Sequence, residues 1–405
     1  MNLRQTWEDH KLMFGIYLVG FLDLLAVSLI VPIMPKHLES LGASKTMIGF
    51  HASLYGVLQL VSSPVVGKLS DVYGRRRVLL FVLLCCSCSY MLFGLTTTLW
   101  IFFLFRIPSG LLKHSLTLGR TCVADVSSEV DRPGRMGRYN AISSIGFVIG
   151  PALGGNLMAT TGGFKFAVTM TAFVFLINFI VSWWLVHPDQ HTNKDHTITD
   201  SDDTFSFKGS IAFMRSETWP KVSGLMLERF IISVSVLMLR SNFSLFLEHK
   251  YNAGPQIIGY IVSFSGVIAF GSAMITGFVT RMYGNESRLM FHSSLLMLAS
   301  QIGLNFATHI SFVFILLIPF GFASSIMRVV VAHLLLQRVS PREKGEVIGM
   351  GQSSIALARI VSPQLAGLAM EHSTELPGTI GIAFAALASG LIYKRTLHHV
   401  EQKKD

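Results

Sequence analysis

Charged side chains are scarce in this chain. Only 14% of its 405 residues are Asp, Glu, Lys or Arg, against about 25% in an average soluble domain. Hydrophobic residues make up 51%, and they recur in runs of about 20, the length with which a helix crosses a bilayer. The shortage of charge argues against an ordinary soluble domain and predicts an all-α membrane protein.

Cysteine and catalytic motifs are also rare. Three of the four cysteines fall in Cys85-Cys86-Ser87-Cys88, inside an apolar run without a neighbouring His or carboxylate. We interpret them as small packing residues and expect no metal site. No zinc-protease motif, nucleophile elbow or phosphate-binding loop is present, which argues against an enzyme or an ATP-driven pump. We expect no cofactor.

The apolar runs predict twelve transmembrane helices. They lie near residues 11–35, 45–69, 77–96, 98–124, 137–160, 164–187, 220–247, 255–281, 287–308, 310–336, 345–370 and 376–394. Of the 33 Lys and Arg residues, 22 fall on one side of these spans and 4 on the other, leaving 7 (33 − 22 − 4) within them. By the positive-inside rule, both termini are cytoplasmic. The net charge of +10 then reflects topology, and no nucleic-acid partner is expected; plasma and organellar membranes both stay open.

A polar stretch divides the chain. It predicts an N-terminal six-helix bundle over 1–187, a cytoplasmic linker over 188–219, and a C-terminal six-helix bundle over 220–405. The halves resemble each other, since Ile107-Pro108-Ser109-Gly110 returns as Ile318-Pro319-Phe320-Gly321, 211 positions later (319 − 108). Such internal symmetry is typical of transporters, whose substrate site lies near the membrane midplane between the repeats.

Three motifs carry a family resemblance. The stretch from Gly67 to Leu80 reads G-x-L-x-D-x-x-G-R-R-x-x-L-L, which is similar to the loop signature between helices two and three of the major facilitator superfamily. Arg106 with Gly110 resembles the arginine-glycine signature of that family. The run from Gly146 to Gly155 resembles the helix-five signature of its antiporters.

The resemblance extends over nearly the whole chain and is greatest to twelve-helix drug–proton antiporters, including tetracycline antiporters and organic cation transporter-like proteins. It implies two pseudo-symmetric six-helix bundles in the major facilitator fold. It also implies that Arg106 takes part in proton coupling and that Asp125 pairs with Arg75 or Arg76. The third helix carries no acidic residue, unlike that of tetracycline antiporters, so we do not expect tetracycline as the substrate.

Helix four has the most informative polar residues. Arg106, Lys113 and Arg120 are seven residues apart, so on one continuous helix they share a side. A cation near the membrane midplane costs at least ~2.5–3.5 kcal/mol, so this side is expected to face a wet cavity or partner helices. Lys113 and His114 are candidates for substrate or proton binding; buried pairing of Lys113 and plain packing of His114 are the alternatives.

The two carboxylates expected within the membrane are Asp23 and Glu228. Each is a candidate proton carrier, or else one half of a static ion pair. On the same grounds, Arg328 and Arg359 are candidate substrate-binding or proton-coupling residues. The central cavity then carries a net positive charge and favours an anionic or zwitterionic solute, whereas the family resemblance favours drugs and organic cations.

Two further sets of residues have expected mechanical roles. Gly67 leaves room for a close helix, and Asp71 is expected to face the start of helix eleven, near 345–349, as part of a cytoplasmic gate. On helix five, the spacing of the small residues favours close packing against another helix. This packing set comprises Gly146, Gly150, Pro151 and Gly154.

The sequence therefore predicts a secondary active transporter that moves a small organic solute by alternating access, in antiport with protons. Its expected partners are the solute, protons and the lipid bilayer, and it is expected to act as a monomer. Two alternatives stay open. One is a facilitative uniporter of an organic anion, and the other is a non-transporting membrane sensor or scaffold with the same fold.

The gate can be tested at Asp71. The substitution Asp71→Asn removes the negative charge and keeps the side-chain size, so we expect slower transport at unchanged surface expression. Uptake in cells, normalised to the amount of protein at the surface, measures this effect. Wild-type uptake by the variant would contradict the gate.

Overall fold

In a computed structural model of the chain, the structure describes residues 3–187, 213–340 and 343–401, with side chains over 9–187, 213–340 and 343–397. The described residues form fifteen α-helices. In chain order they are α1 Leu3–Ile30, α2 Met34–Ser40, α3 Lys45–Tyr73, α4 Arg75–Leu95, α5 Leu99–Leu112, α6 Ser115–Asp125, α7 Arg132–Met158, α8 Gly163–Leu185, α9 Trp219–Ser241, α10 Phe243–Tyr251, α11 Pro255–Tyr283, α12 Glu286–Phe306, α13 Ile310–Gln337, α14 Lys344–His372 and α15 Leu376–Glu401.

Three membrane crossings are each built from two helices. These are α1 with α2, α5 with α6, and α9 with α10, so the fifteen described helices make twelve crossings. Nine of the crossings are long and apolar enough to span a membrane by composition alone. The other three are α3, α5/α6 and α14. The continuous helix expected over 98–124 was wrong, because the backbone leaves the helix at residues 113 and 114.

The internal repeat is also present in the positions of the helix boundaries. α4 and α12 start 211 positions apart (286 − 75) and end 211 positions apart (306 − 95). The starts of α5 and α13 differ by the same number (310 − 99). This is the shift that relates Pro108 to Pro319 in the sequence, so the repeat extends from the motifs to the helices themselves.

Two of the three helix breaks occur at corresponding positions in the two halves. The first crossing breaks at residues 31–33 and the seventh at Asn242, which lies 211 positions after residue 31. The break at residues 113 and 114 has no counterpart, since α13 runs from Ile310 to Gln337 without interruption. The fourth and tenth crossings therefore differ in backbone shape, although their sequences are related.

The chain forms two compact units. Unit 1 comprises residues 1–43, 54–199 and 253–266, and unit 2 comprises residues 44–53, 200–252 and 267–405. Within unit 1, α1 packs against α6, α7 and α8, and α4 packs against α5 and α8. Within unit 2, α9 packs against α13, α14 and α15, and α12 packs against α13 and α15. Corresponding helices thus have corresponding neighbours in the two units.

Glycines on α7 allow α1 to approach closely. A Cβ atom on Gly146 would lie 2.8 Å from the backbone nitrogen of Leu25, and one on Gly154 would lie 2.7 Å from the carbonyl carbon of Leu29. Ser28 donates a hydrogen bond across the contact to the carbonyl of Gly146, at 3.2 Å. Gly150, between them, also faces Ser28. Backbone thus packs on backbone along two turns of α7, as expected from the spacing of its small residues.

A hydrogen-bonded carboxylate links the starts of α9 and α14 in unit 2. Glu343 accepts a hydrogen bond from the Thr218 hydroxyl at 2.7 Å and one from the Ser340 hydroxyl at 2.8 Å. These donors stabilise the ionised form and lower the pKa of Glu343 below its usual value. Glu343 directly precedes α14 and Thr218 directly precedes α9, so the contact fixes these two helix starts relative to each other.

The α1–α7 contact predicts that alanine substitutions at two glycines of α7 differ in their effect on stability. Gly146→Ala places a methyl group against the α1 backbone and should destabilise the protein by about 1–3 kcal/mol. Gly137→Ala is the matched control, because a Cβ atom there meets nothing within 4 Å. Melting temperatures of the detergent-purified variants measure the effect. Equal melting temperatures would contradict the tight contact.

Candidate functional site

An ion pair is enclosed in unit 1. The Lys113 ammonium lies 2.6 Å from both carboxylate oxygens of Asp23 and donates to the Ser115 hydroxyl at 3.0 Å. Ser115 in turn donates to Asp23. Asp23 is completely buried, and only 7% of the Lys113 side chain is exposed. We call Asp23, Lys113 and Ser115 the acid–lysine cluster.

The acid–lysine cluster lies at the break between α5 and α6. Lys113 has φ −75° and ψ 71°, and the His114 N–H donates to the Leu112 carbonyl at 2.8 Å. These values define an inverse γ-turn centred on Lys113. The turn points the lysine at α1 and frees its own carbonyl from the helix.

Helix α3 supplies partners to this break. Gln59 donates its side-chain N–H to the freed carbonyl of Lys113 at 3.0 Å. The Ser62 hydroxyl lies 2.8 Å from Nε2 of His114. The Gln59 contact replaces the hydrogen bond that this carbonyl would have accepted in a continuous helix, and the Ser62 contact holds the His114 ring. Gln59 and Ser62 are therefore positioning residues for the acid–lysine cluster.

The break separates the three cations expected on one side of helix four. Lys113 is paired inside unit 1, whereas the Arg106 guanidinium lies 4.2 Å above the ring of Tyr55. Arg120 is exposed and donates to the Asn140 side chain at 3.1 Å. The expected single polar side was wrong, since it required a helix without interruption.

At the α3–α4 turn, Arg75 joins two carboxylates. Its Nε donates to Asp125 at 2.8 Å, the contact expected from the sequence, and it also pairs with Asp71 one helical turn before it. Arg76 donates to the Trp183 carbonyl at 2.6 Å and lies over the indole ring. A Cβ atom on Gly67 would meet no described atom within 4 Å, so the close helix expected there is not seen.

Unit 2 contains a cavity lined by arginines. Its volume is about 200 Å³, and α9, α13 and α14 contribute its lining. We call it the arginine cavity. Its polar lining consists of Arg229, Ser233, Arg240, Ser324, Arg328 and Arg359, and its apolar lining of Ile232, Val236, Leu237, Met327, Val331 and Ile355. No Asp or Glu is among these twelve described residues. Arg328 and Arg359 were expected in a cavity, and the structure brings them into this one.

Glu228 lies outside the arginine cavity. It is buried and accepts a hydrogen bond from Nε of Arg395 at 2.9 Å, the static ion pair that was the alternative to a proton carrier. His333 lies 2.8 Å from the Glu286 carboxylate, also outside this cavity. The proton role of Glu228 stays a prediction.

Several residues of these sites were not among the sequence candidates. Ser115 completes the acid–lysine cluster, and Gln59 holds its backbone. Arg229 and Arg240 line the arginine cavity. Their shared position could have been predicted from the sequence, because with Ser233 and Val236 they occupy one strip of α9. The role of Gln59 could not have been predicted from the sequence, since a single amide in an apolar run has many possible partners.

The sequence also matches a known protein family. The model of the Major Facilitator Superfamily matches residues 16–363, and it matches a second time over residues 225–403. The chain belongs to the Major Facilitator Superfamily. The second match begins near the start of the C-terminal repeat, as expected for a superfamily built from two related halves.

Known members of the superfamily match along almost the full chain. Multidrug resistance protein 2 of Bacillus subtilis is 24% identical over 381 residues, which cover 93% of each protein. Mouse solute carrier family 22 member 18 is 26% identical over 404 residues, covering 96% of each. The crystal structure of the human organic anion transporter MFSD10 superposes with a TM-score of 0.66 at 20% identity, covering 95% of this chain and 99% of that one.

Membership establishes the general nature of the protein. It is a multi-pass membrane protein with the twelve-helix major facilitator fold, in a superfamily of transporters that move small solutes and are not generally enzymes. The twelve-helix fold predicted from the sequence is thereby confirmed.

The acid–lysine cluster predicts unequal effects of two charge removals. Asp23→Asn leaves the Lys113 cation buried without a counter-charge and should cost about 3–5 kcal/mol of stability. Asp131→Asn is the control, since Asp131 and Arg135 form an exposed pair at 3.9 Å, which contributes about 0–1 kcal/mol. Melting temperatures in detergent compare the two.

The double variant Asp23→Asn with Lys113→Gln should recover part of the loss, because it leaves no unpaired charge. A double variant that is less stable than Asp23→Asn alone would contradict this account of the cluster.

Proposed function

We propose that this superfamily member is a secondary active transporter that exchanges a small organic solute for protons by alternating access. The observation that carries the proposal is the acid–lysine cluster at the break in the fourth crossing. In this cluster a buried carboxylate is paired with a lysine and accepts a hydrogen bond from a hydroxyl. When such a carboxylate accepts or releases a proton, the local electrostatics change strongly.

The position of the cluster supports coupling to backbone movement. Protonation of Asp23 removes the charge that holds Lys113, and the lysine is the central residue of the γ-turn between α5 and α6. A change in proton occupancy therefore bears directly on the angle between two helices. The carbonyl of Lys113 is already held by Gln59, so the backbone can adjust there without losing a helical hydrogen bond.

A second candidate function is facilitated diffusion of an organic anion. The hydrogen-bonded geometry of the acid–lysine cluster favours it, because Asp23 accepts from both Lys113 and Ser115 and could be a permanent structural pair. In that case the arginine cavity alone binds the solute, and flux follows the solute gradient. The third candidate, a sensor or scaffold, transports nothing.

The orientation in the membrane belongs to the same proposal. Both termini and the basic α3–α4 turn lie in the cytoplasm, supported by the excess of Lys and Arg in the loops on that side. The ion pair of Arg75 with Asp125 then lies near the cytoplasmic ends of α4 and α6, where a gate would close.

A flux assay separates the three functions. Purified protein is reconstituted into liposomes that hold a pH-sensitive dye, and a broad panel of solutes is added with and without a pH gradient. For exchange of one proton per solute, a gradient of one pH unit supports up to about tenfold accumulation. We expect the transported solute to be concentrated and to change the dye signal.

The variant with both Asp23→Asn and Lys113→Gln should move the solute without a dye signal. The matched control joins Asp131→Asn to Arg135→Gln, which neutralises an exposed pair and should keep the coupling. Wild-type flux that ignores the pH gradient would indicate the uniporter. An absence of flux across the whole panel would contradict transport altogether.

A further inference from the structure

The four arginines of the arginine cavity differ from the other cations of the chain in their described partners. Among the described residues of unit 2, no Asp or Glu forms a salt bridge with Arg229, Arg240, Arg328 or Arg359, whereas other cations of the chain have partners. The paired cations include Lys113 with Asp23, Arg75 with Asp125, and Arg395 with Glu228. Concentrated like charge at membrane depth is costly unless an anion compensates it, so the missing negative charge is expected to come from a ligand.

The arginines are spread along the cavity. Arg229 and Arg240 are the first and last lining residues of α9, eleven positions apart (240 − 229), or about 16 Å along the helix axis. Arg328 lines the cavity from α13 and Arg359 from α14. A bound solute therefore meets cations at both ends of the α9 lining.

Arg229 is placed at its end of the cavity by packing. A Cβ atom on Gly351 would lie 3.1 Å from Nη1 of Arg229, so the guanidinium rests against the α14 backbone where a side chain is missing. Guanidinium groups bind carboxylates and phosphates through two parallel hydrogen bonds. Each end of the cavity thus offers a site for an anionic group.

Apart from Ser233 and Ser324, the remainder of the lining is apolar. Ile232, Val236 and Leu237 on α9 face the cavity together with Met327 and Val331 on α13. Such a surface suits hydrocarbon better than a hydrated inorganic ion. The volume of about 200 Å³ is below the ~300–1,000 Å³ typical of pockets for drug-sized ligands, so it suits a small molecule.

We propose that the transported solute is a small organic anion that carries at least two negative charges on an apolar skeleton and binds in the arginine cavity. Cations are excluded by repulsion from the four arginines. That the anion is transported rests on the proposed function, whereas its binding in this cavity can be measured without transport or a proton gradient.

The test is binding to the full-length protein, purified in an uncharged detergent at low and constant ionic strength. The probes have one skeleton and different charges: hexanedioate, its diamide, and 1,6-diaminohexane, with sulfate as the inorganic dianion. We expect hexanedioate to raise the melting temperature in a concentration-dependent manner. The diamide, the diamine and sulfate should not. Equal stabilisation by the diamide or by sulfate, or any stabilisation by the diamine, would overturn the proposal.

Variants locate the site. Arg328→Gln and Arg359→Gln should each weaken hexanedioate binding at least tenfold, and Arg328→Lys less than Arg328→Gln, because lysine keeps the charge but loses the two-point contact. Arg281→Gln is the control, since Arg281 is exposed on α11 outside the cavity and donates a hydrogen bond to the Gly277 carbonyl of its own helix. Equal losses in Arg281→Gln and Arg328→Gln would overturn the site.

Stability without ligand separates a binding role from a structural one. Removing one of several mutually repelling cations should leave the ligand-free melting temperature equal to that of the wild type or above it. A large decrease in both Arg328→Gln and Arg359→Gln would overturn the proposal, because it would mean that these arginines hold the fold together.

The two proposals can fail separately. Hexanedioate binding without flux of any dianion would contradict transport and leave the assigned ligand class in place. Proton-coupled flux of a neutral or cationic solute, unaffected by Arg328→Gln, would overturn the ligand class and leave the transport function in place.

Discussion

The contact between Asp23 and Lys113 sets the conditions for the rest of unit 1. Neither charge is tolerable alone in a helix bundle surrounded by lipid, so α1 and the fourth crossing must stay in register. The lysine reaches α1 because the backbone turns sharply at that residue, and Gln59 of α3 compensates for the hydrogen bond that this turn removes. The glycines of α7 bring a further helix against the other parts of α1. One ion pair thereby ties together the placement of four helices.

The two units handle positive charge in opposite ways. In unit 1, Lys113 and Arg75 each have a carboxylate, and Arg106 lies on an aromatic ring. In unit 2, four arginines share a cavity with serines and aliphatic side chains, and the carboxylate of Glu228 is engaged elsewhere by Arg395. Over the part of the chain that the structure describes, a duplicated fold thus contains one polar centre compensated by a carboxylate and one centre that is not. This division fits the proposed exchange, in which one half handles protons and the other binds the solute.

Much of the fold was predictable because hydrophobicity and charge act locally. The lengths of the apolar runs gave the number of crossings, and the shift between Pro108 and Pro319 gave the repeat that the helix boundaries follow. The pairing of Arg75 with Asp125 followed from the resemblance of the loop motif. By contrast, the break at Lys113 falls within a helical pattern, and what stabilises it is an amide on another helix. The arginine cavity depends on the tertiary arrangement of α9, α13 and α14, which no local pattern specifies.

The pattern of helix breaks also separates what the two halves have in common from what is individual to one of them. A break recurs at the same offset in both halves, at residues 31–33 and at Asn242, so it belongs to the repeat. The turn at Lys113 has no counterpart in α13, so it is specific to the N-terminal half. The buried lysine therefore lies at a point where the backbones of the two halves differ in shape.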